Sequence, residues 1–181
     1  MIKTKKNNIP ESINRTENAV MRELSKLDLS YYIFNDVCLS LHRSVTYRNT
    51  VENIKSCQID FVVIGPTGIF NIGAKEWSEK ILREANQIPL KDVDMAGLVF
   101  YIRTVNRFHR KLPIYNVAVM LQKVPKVQYE YVHHLSLQQL YWFILRREGI
   151  LSRKSIKKIV RWLTKISNRK PIIRKITKWG I

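Results

Sequence analysis

The sequence has few cysteines and no long apolar segment. Its two cysteines, Cys38 and Cys57, have no C-x-x-C spacing and no histidine placed to complete a zinc site, so we expect two reduced thiols and no structural metal. No run approaches the roughly 20 apolar residues that a membrane-spanning helix needs. Residues 1–8 are polar and rich in lysine, with no apolar stretch behind them, so we expect neither a secretory signal nor an anchor there. These features predict a cytoplasmic protein.

Acidic residues are also scarce. The 181 residues include 14 Asp and Glu against 32 Lys and Arg, which gives a formal net charge of +18. No acidic residue follows Glu148. A positive field of this size attracts polyanions and gains free energy when their counterions are released. The composition therefore predicts a nucleic-acid partner or an anionic membrane surface, and charge alone does not separate the two.

The spacing of apolar residues predicts an α/β protein. Helical spacing follows Pro10 and recurs at residues 93–110 and 137–148, where a capping-box sequence begins at Ser136 and Gly149 is placed to stop the helix. Runs typical of strands occupy residues 31–41, 57–64, 69–75, 114–121 and 126–132, the last as an edge strand, and residues 43–55 are predicted to be a loop. This order is that of a mixed sheet with helices packed on it.

The C-terminal segment, residues 149–181, predicts a basic amphipathic helix. Apolar residues follow helical spacing through residues 152–168, and basic residues fill the positions between them. Those that we expect to contact nucleic acid are Arg153, Lys154, Lys157, Lys158, Arg161, Lys165, Arg169 and Lys170. Three interpretations are open: a helix docked on the core with a solvated cationic face, a nucleic-acid surface to which Trp162 or Trp179 adds stacking, or a helix lying on anionic lipid.

The strongest chemical signal lies in residues 58–77. The turn sequence Gly65-Pro66-Thr67-Gly68 separates two apolar runs, which predicts a hairpin with a four-residue connection. Residues two apart on a strand share a face, so residue 73 and Lys75 point together, and strand pairing can bring Asp60 beside them. Metal-dependent phosphodiester hydrolysis needs such a set, because carboxylates hold a hard cation and a lysine orients water and offsets negative charge.

This run resembles the nuclease-related domain (NERD) family, a branch of the PD-(D/E)XK restriction-endonuclease-like superfamily. The family pattern is Ile-Asp-hydrophobic-Val-Val-x-Gly-x-x-Gly and then hydrophobic-Ile-Glu-x-Lys-x-Trp, and the sequence reads IDFVVIGPTG and FNIGAKEW. The resemblance implies a restriction-endonuclease-like mixed sheet over residues 15–148, between a basic arm at 1–14 and the helical tail at 149–181. It also implies that Glu17 and Asp60 bind Mg²⁺ or Mn²⁺, that Lys75 is the catalytic lysine, and that the protein forms a homodimer.

Gly73 departs from the family pattern, because it stands where the family has glutamate. Glycine offers no ligand, and ligand charge sets the affinity of a site for hard cations. Three interpretations are open: the fold persists without catalysis, another acid such as Glu76 or Glu79 supplies the missing carboxylate, or the sequence is an altered form of an active enzyme. We favour a nucleic-acid-binding protein, for DNA rather than RNA, with a degenerate site. The alternatives are a magnesium-dependent endonuclease with a relocated acid and a membrane-surface or protein-interaction module.

Overall fold

The computed structural model describes residues 11–75, 88–121 and 130–172, which form four helices and five strands. The elements are α1 (Glu11–Leu24), β1 (Tyr32–Thr46), β2 (Asn53–Gly65), β3 (Gly68–Lys75), α2 (Ile88–Phe108), β4 (Ile114–Met120), β5 (His133–Ser136), α3 (Leu137–Leu145) and α4 (Arg153–Ser167). Among these helices, none combines the length and the apolar character needed to cross a membrane.

The five strands form one mixed sheet in the order β1-β2-β3-β4-β5. The β1–β2 and β2–β3 pairs are antiparallel, and the β3–β4 and β4–β5 pairs are parallel. Helices cover both faces, so the protein has the predicted α/β architecture, which is consistent with a restriction-endonuclease-like fold. The parallel β3–β4 connection contains α2, as a parallel crossover requires.

Two hydrophobic clusters lie on opposite faces of the sheet. On one face, α2 and α4 pack on the sheet through Val99, Phe100, Ile159 and Leu163 among others. On the other face, α1 and α3 contribute Val20, Leu24, Leu140 and Ile144. We call these the α2/α4 face and the α1/α3 face. Because α4 belongs to the core of the first face, its apolar side is covered by protein.

The alternation of side chains along β1 and β2 changes at Asp36 and Asp60. Phe34 and Val62 contribute to the α2/α4 face, and so do Val37 and Ile59, although strict alternation would send the second pair to the other face. Asp36, which has a φ of 52°, interrupts the ladder between these pairs. Asp60 therefore lies at an irregular position of the sheet and not within a regular buried strand.

Several sequence-based boundaries were wrong. Residues 43–55 are not one loop, because β1 continues to Thr46 and β2 starts at Asn53; the side chains of residues 42–44 are exposed, which hides the strand pattern. The hairpin turn has two residues rather than four, since Gly65 pairs with Gly68. Helix α2 covers 88–108 instead of 93–110.

The prediction of an edge strand at residues 126–132 is also wrong for those of its residues that the structure describes. Residues 126–129 lie outside the described part of the chain, and residues 130–132 form a turn. The edge strand is β5, which pairs with β4 from Val117 onward. The capping box is confirmed by the Gln139 side chain, whose oxygen accepts a hydrogen bond from the Ser136 backbone at 2.9 Å. Helix α3 ends at Leu145, well before Gly149.

The chain after α4 returns to the open edge of β1. The backbone N–H of Ile172 donates a hydrogen bond to the carbonyl of Ile33 at 2.7 Å. The Arg169 side chain donates to the carbonyl of Asp36 at 3.1 Å and forms an ion pair with its carboxylate. These contacts fix the end of the basic segment beside the irregular position of β1.

Candidate functional site

The β2–β3 hairpin brings Asp60, Gly73 and Lys75 together. A Cβ atom built on Gly73 would lie 3.5 Å from Cε of Lys75 and 3.9 Å from Oδ2 of Asp60. A side chain at residue 73 would therefore emerge between the carboxylate and the lysine. This is the arrangement that strand periodicity predicts for the two strands.

Hydrogen bonding fixes the Asp60 carboxylate against β3. Its Oδ2 atom accepts a hydrogen bond from the backbone N–H of Ala74 at 2.7 Å. The last paired residues of the two strands are Phe61 and Ile72. The hydrogen bond from Ala74 to Asp60 therefore links β3 to β2 just beyond the end of their backbone pairing. One carboxylate oxygen of Asp60 is thereby engaged with the protein backbone.

Glu17 of α1 lies near the same end of the sheet. Partial burial raises the pKa of its carboxyl above the usual value, and the negative charges of Asp60 and Asp36 raise it further. The positive charge of Lys75 acts in the opposite direction. The charges of Asp60 and Lys75 therefore both act on the Glu17 carboxyl.

Val93 of α2 fills the space in front of Gly73. Its Cγ2 atom would lie 2.6 Å from a Cβ atom on Gly73, which is closer than two carbon atoms approach in proteins. Val93 is itself 6% exposed and packs with Leu90, Ala118 and Met120. A side chain at residue 73 would therefore require Val93 to move.

A small cavity of about 40 Å³ lies beside these residues, and its lining reveals a carboxylate that sequence reasoning missed. Asp92 of α2 lines it together with Gln58, Asp60, Asn71 and Lys75. Asn71 also brings a buried Oδ1 atom for which the described residues supply no hydrogen-bond partner. No motif marks Asp92, because only the packing of α2 across the sheet brings it to the hairpin.

The described residues contain no group of three or more His, Cys, Asp or Glu side chains able to hold a metal ion. Gly73 adds no ligand, and the space in front of it is filled by Val93. The substitutes considered from the sequence, Glu76 and Glu79, lie outside the described residues, as does Trp77. Among the described residues, Asp60 and Asp92 are therefore the two carboxylates at this cavity, one fewer than a set of three acidic ligands.

The basic residues of α4 form a second feature, on the α2/α4 face. All eight residues that the sequence singled out are exposed: Arg153, Lys154, Lys157, Lys158, Arg161, Lys165, Arg169 and Lys170. Arg169 pairs with Asp36, and the other seven have no ion pair with any described residue. Ser152 caps the helix by accepting a hydrogen bond from the backbone N–H of Ser155 at 3.2 Å.

Trp162 is a core residue of α4 and not an exposed platform. Its ring packs edge-to-face on Phe100 and Phe108, with centroid distances of 5.9 and 5.5 Å, and it is 8% exposed. The prediction that it stacks on bases is therefore wrong. Trp179, the second residue named for stacking, lies outside the described residues.

The sheet order, the layers of helices and the β2–β3 hairpin define a restriction-endonuclease-like α/β protein. The family model of the nuclease-related domain, NERD, matches residues 13–121, which is more than half of the chain. The chain therefore belongs to the NERD family, within the PD-(D/E)XK-like nuclease superfamily. No curated protein and no solved structure matches it.

The match to the family model runs from α1 through β4 and leaves out α3 and α4. The basic helix α4 therefore lies beyond the matched region. The division at residue 149 stays a prediction.

Proposed function

We propose that this NERD protein binds nucleic acid, with DNA as the preferred partner, through the exposed cationic side of α4, and that its hairpin site is not a catalytic metal centre. The observation that carries the proposal is a set of seven exposed cations, six on α4 and Lys170 just after it, that have no ion pair with any described residue. Exposed like charges three or four residues apart on a helix destabilise it. A phosphate backbone would remove that repulsion and release counterions.

The hairpin supports the second half of the proposal. The family's glutamate is replaced by Gly73, and Val93 occupies the space into which a longer side chain would extend. Asp60 is engaged by the Ala74 backbone. With fewer charged ligands, the affinity for Mg²⁺ or Mn²⁺ falls, so the fold serves as a scaffold for the basic surface.

The packing of α4 argues against the membrane-surface alternative. An interfacial helix buries its apolar side in lipid, whereas Ile156, Ile159 and Leu163 are buried against the sheet and α2. Insertion into a membrane would require α4 to leave the core. Nucleic acid needs only the cationic side, which is already exposed.

A magnesium-dependent endonuclease is the second candidate, and Asp92 favours it. Its carboxylate lines the same cavity as Asp60 and Lys75, so it is the described acid best placed to replace the missing glutamate. In this candidate, Asp60 and Asp92 would hold the cation that polarises the phosphate, and Lys75 would orient the attacking water. Cleavage of labelled DNA with Mn²⁺ that is abolished by Asp92→Asn would favour this function over the scaffold.

Binding is tested with duplex DNA, duplex RNA and anionic vesicles over a range of salt concentrations. The variant Lys154→Gln/Lys157→Gln/Lys158→Gln removes three charges from α4, and Arg15→Gln/Arg22→Gln/Lys55→Gln removes three exposed charges elsewhere as its matched control. We expect the α4 variant to weaken DNA binding and to lower the slope of log K against log salt by about 2 to 3, at roughly 0.9 per lost phosphate contact. Equal effects of the two variants, or tighter binding to vesicles than to DNA, would contradict the proposal.

A further inference from the structure

A second, larger cavity opens on the α2/α4 face, away from the hairpin site. It has a volume of about 260 Å³ and lies between β1 and the C-terminal half of α2. Four residues come from β1 and three from α2: Leu41, His42, Arg43, Val45, Ile102, Arg103 and Asn106. We call this cavity the β1–α2 groove.

The lining of the groove combines two kinds of chemistry. Leu41, Val45 and Ile102 provide apolar walls, and Arg43 and Arg103 provide positive charge. None of the described residues that line the groove is acidic. A ligand that matches both features carries a flat apolar group and an anion, because the guanidinium plane matches phosphate oxygens and also packs on rings.

The ordinary role of arginines near a helix end does not account for this placement. Cations near the C-terminus offset the helix dipole within the last turn. Arg107 lies in that turn of α2, which ends at Phe108, whereas Arg103 lies before it. Arg103 is also partly buried and lines this cavity.

The groove lies next to the basic surface of α4. Helices α2 and α4 share one hydrophobic cluster, and Arg110, just after α2, donates a hydrogen bond to the Ser155 hydroxyl in the first turn of α4 at 3.3 Å. Ile102 lies six residues before the end of α2 at Phe108, which corresponds to about 9 Å along the helix, and Arg110 follows Phe108 by two residues. A strand bound along the start of α4 can therefore reach the groove within a few nucleotides.

We propose that the β1–α2 groove binds one unpaired nucleotide, with the base between the apolar walls and the phosphate held by Arg43 and Arg103. Its volume is near the lower end of small-ligand sites, which suits one nucleotide and excludes a duplex. The Asn106 amide supplies both a donor and an acceptor for a base edge. The proposal rests on the proposed function for the source of the nucleotide, since a single strand bound at α4 would deliver it.

The groove is tested directly with deoxyadenosine monophosphate, by following the backbone amide signals of the full chain in NMR spectra. We expect shifts at His42, Arg43 and Ile102 that saturate with this probe, and weaker binding of adenosine and of inorganic phosphate, each of which has half of the recognised features. Shifts confined to α4 would overturn the proposal. Binding of inorganic phosphate as tight as that of the nucleotide would also overturn it. Tighter binding of decanoate than of the nucleotide would assign the groove to an acyl chain instead.

Two variants separate the contributions of charge and shape. Arg103→Gln should weaken nucleotide binding about tenfold, because a hydrogen bond to a charged group is lost, and Arg107→Gln is its matched control on the same helix. Val45→Phe fills the groove without changing the charge and should abolish the shifts, while the rest of the spectrum reports an intact fold. Unchanged nucleotide affinity in both groove variants would overturn the proposal.

The same variants distinguish this proposal from the function on which it rests. For a chain that binds nucleic acid at α4, the groove variants should reduce the preference for a single strand over a duplex, and the α4 variant should weaken both. If the mononucleotide binds in the groove but the chain does not bind longer nucleic acids, the proposed function fails and the groove site stands. If DNA binds without any response to the groove variants, the groove proposal fails alone.

Discussion

A Cβ atom on Gly73 would lie 2.6 Å from Cγ2 of Val93. The two residues therefore fit each other only because residue 73 has no side chain. Val93 belongs to α2, and its neighbours Leu90, Ala118 and Met120 are buried, so the contact is part of a packed layer. A glutamate at residue 73 and a valine at residue 93 compete for one space.

The first prediction concerns this pair. Gly73→Glu alone should destabilise the fold by about 1–3 kcal/mol through overpacking, and adding Val93→Ala should recover part of the loss. The double variant should be more stable than the summed effects of the two single substitutions predict, by about 1 kcal/mol or more in free energy of unfolding, as expected for residues in contact. Denaturant unfolding of the four chains measures this coupling.

Metal binding tests the same pair independently. Titration calorimetry with Mn²⁺ should detect binding to Gly73→Glu/Val93→Ala and none to the unaltered chain, since the double variant has room for one further carboxylate beside Asp60. Gly73→Gln/Val93→Ala is the matched control, because it has the same shape without the charge. Mn²⁺ binding by the unaltered chain, equal to that of the double variant, would show that another acid already completes the site.

The hairpin could be predicted from sequence because its signals are local. The turn glycines, the apolar runs and the two-residue spacing from position 73 to Lys75 lie within 20 residues of sequence, and strand pairing completes the arrangement with Asp60. Asp92 and Val93 could not be predicted, since nothing in their own segment sets the angle at which α2 crosses the sheet. The prediction of a loop around residues 42–46 was wrong for a related reason. The polar residues there face solvent, so this part of β1 lacks the expected alternation.

The second prediction concerns the contact that holds α2 against the β1–β2 turn. Asp94 of α2 is 1% exposed and accepts hydrogen bonds from Arg48 Nε and Nη2, both at 2.7 Å, and from the Tyr47 hydroxyl. Asp94→Asn should lower the free energy of unfolding by about 1–3 kcal/mol, because a buried acceptor for charged donors is lost while Arg48 stays partly hydrated. Urea unfolding gives the value.

The pair Lys91–Glu52 is the control for this prediction, because it links the same helix to the same turn at the surface. Glu52→Gln should change stability by less than about 1 kcal/mol, as exposed ion pairs do. A loss as large as that of Asp94→Asn would mean that burial does not set the difference between the two contacts.

The third prediction concerns the two thiols, which are both free as expected. Cys38 pairs with Gln58 and Cys57 with Leu39, so the cysteines are offset by one residue and point to opposite faces. Burial raises the pKa of Cys57 to about 12; a hydrogen bond with the Leu39 backbone acts in the opposite direction, and the charge of Cys38 adds a smaller increase. The thiolate is the reactive form, so an aromatic disulfide reagent at pH 8 should modify exposed Cys38 quickly and Cys57 only on unfolding. Cys38→Ser should remove the fast phase; two equal fast phases would contradict the assignment.

The last prediction is a pH dependence of stability that arises at His133 in β5. His133 is an exposed residue, but its ring packs on Phe143 and Tyr115, with centroid distances of 4.9 and 6.2 Å. Partial burial lowers the pKa of its imidazole, and the nearby positive charge of Arg147 lowers it further. The folded state therefore favours the neutral ring, whereas in the unfolded chain the ring takes up a proton near pH 6.5.

The sign follows from proton uptake. As the pH falls below about 6.5, the unfolded chain binds the proton first, so this contribution to stability is full above that pH and declines toward the lower folded pKa. Thermal unfolding between pH 7.5 and 5.5 should show the decline, and His133→Gln should reduce it. Arg147→Met should reduce it less, because burial is the larger cause and a methionine can keep the apolar contact that Arg147 makes over Tyr115 and Phe143. A larger effect of Arg147→Met than of His133→Gln would show that charge repulsion, rather than burial, keeps the ring neutral.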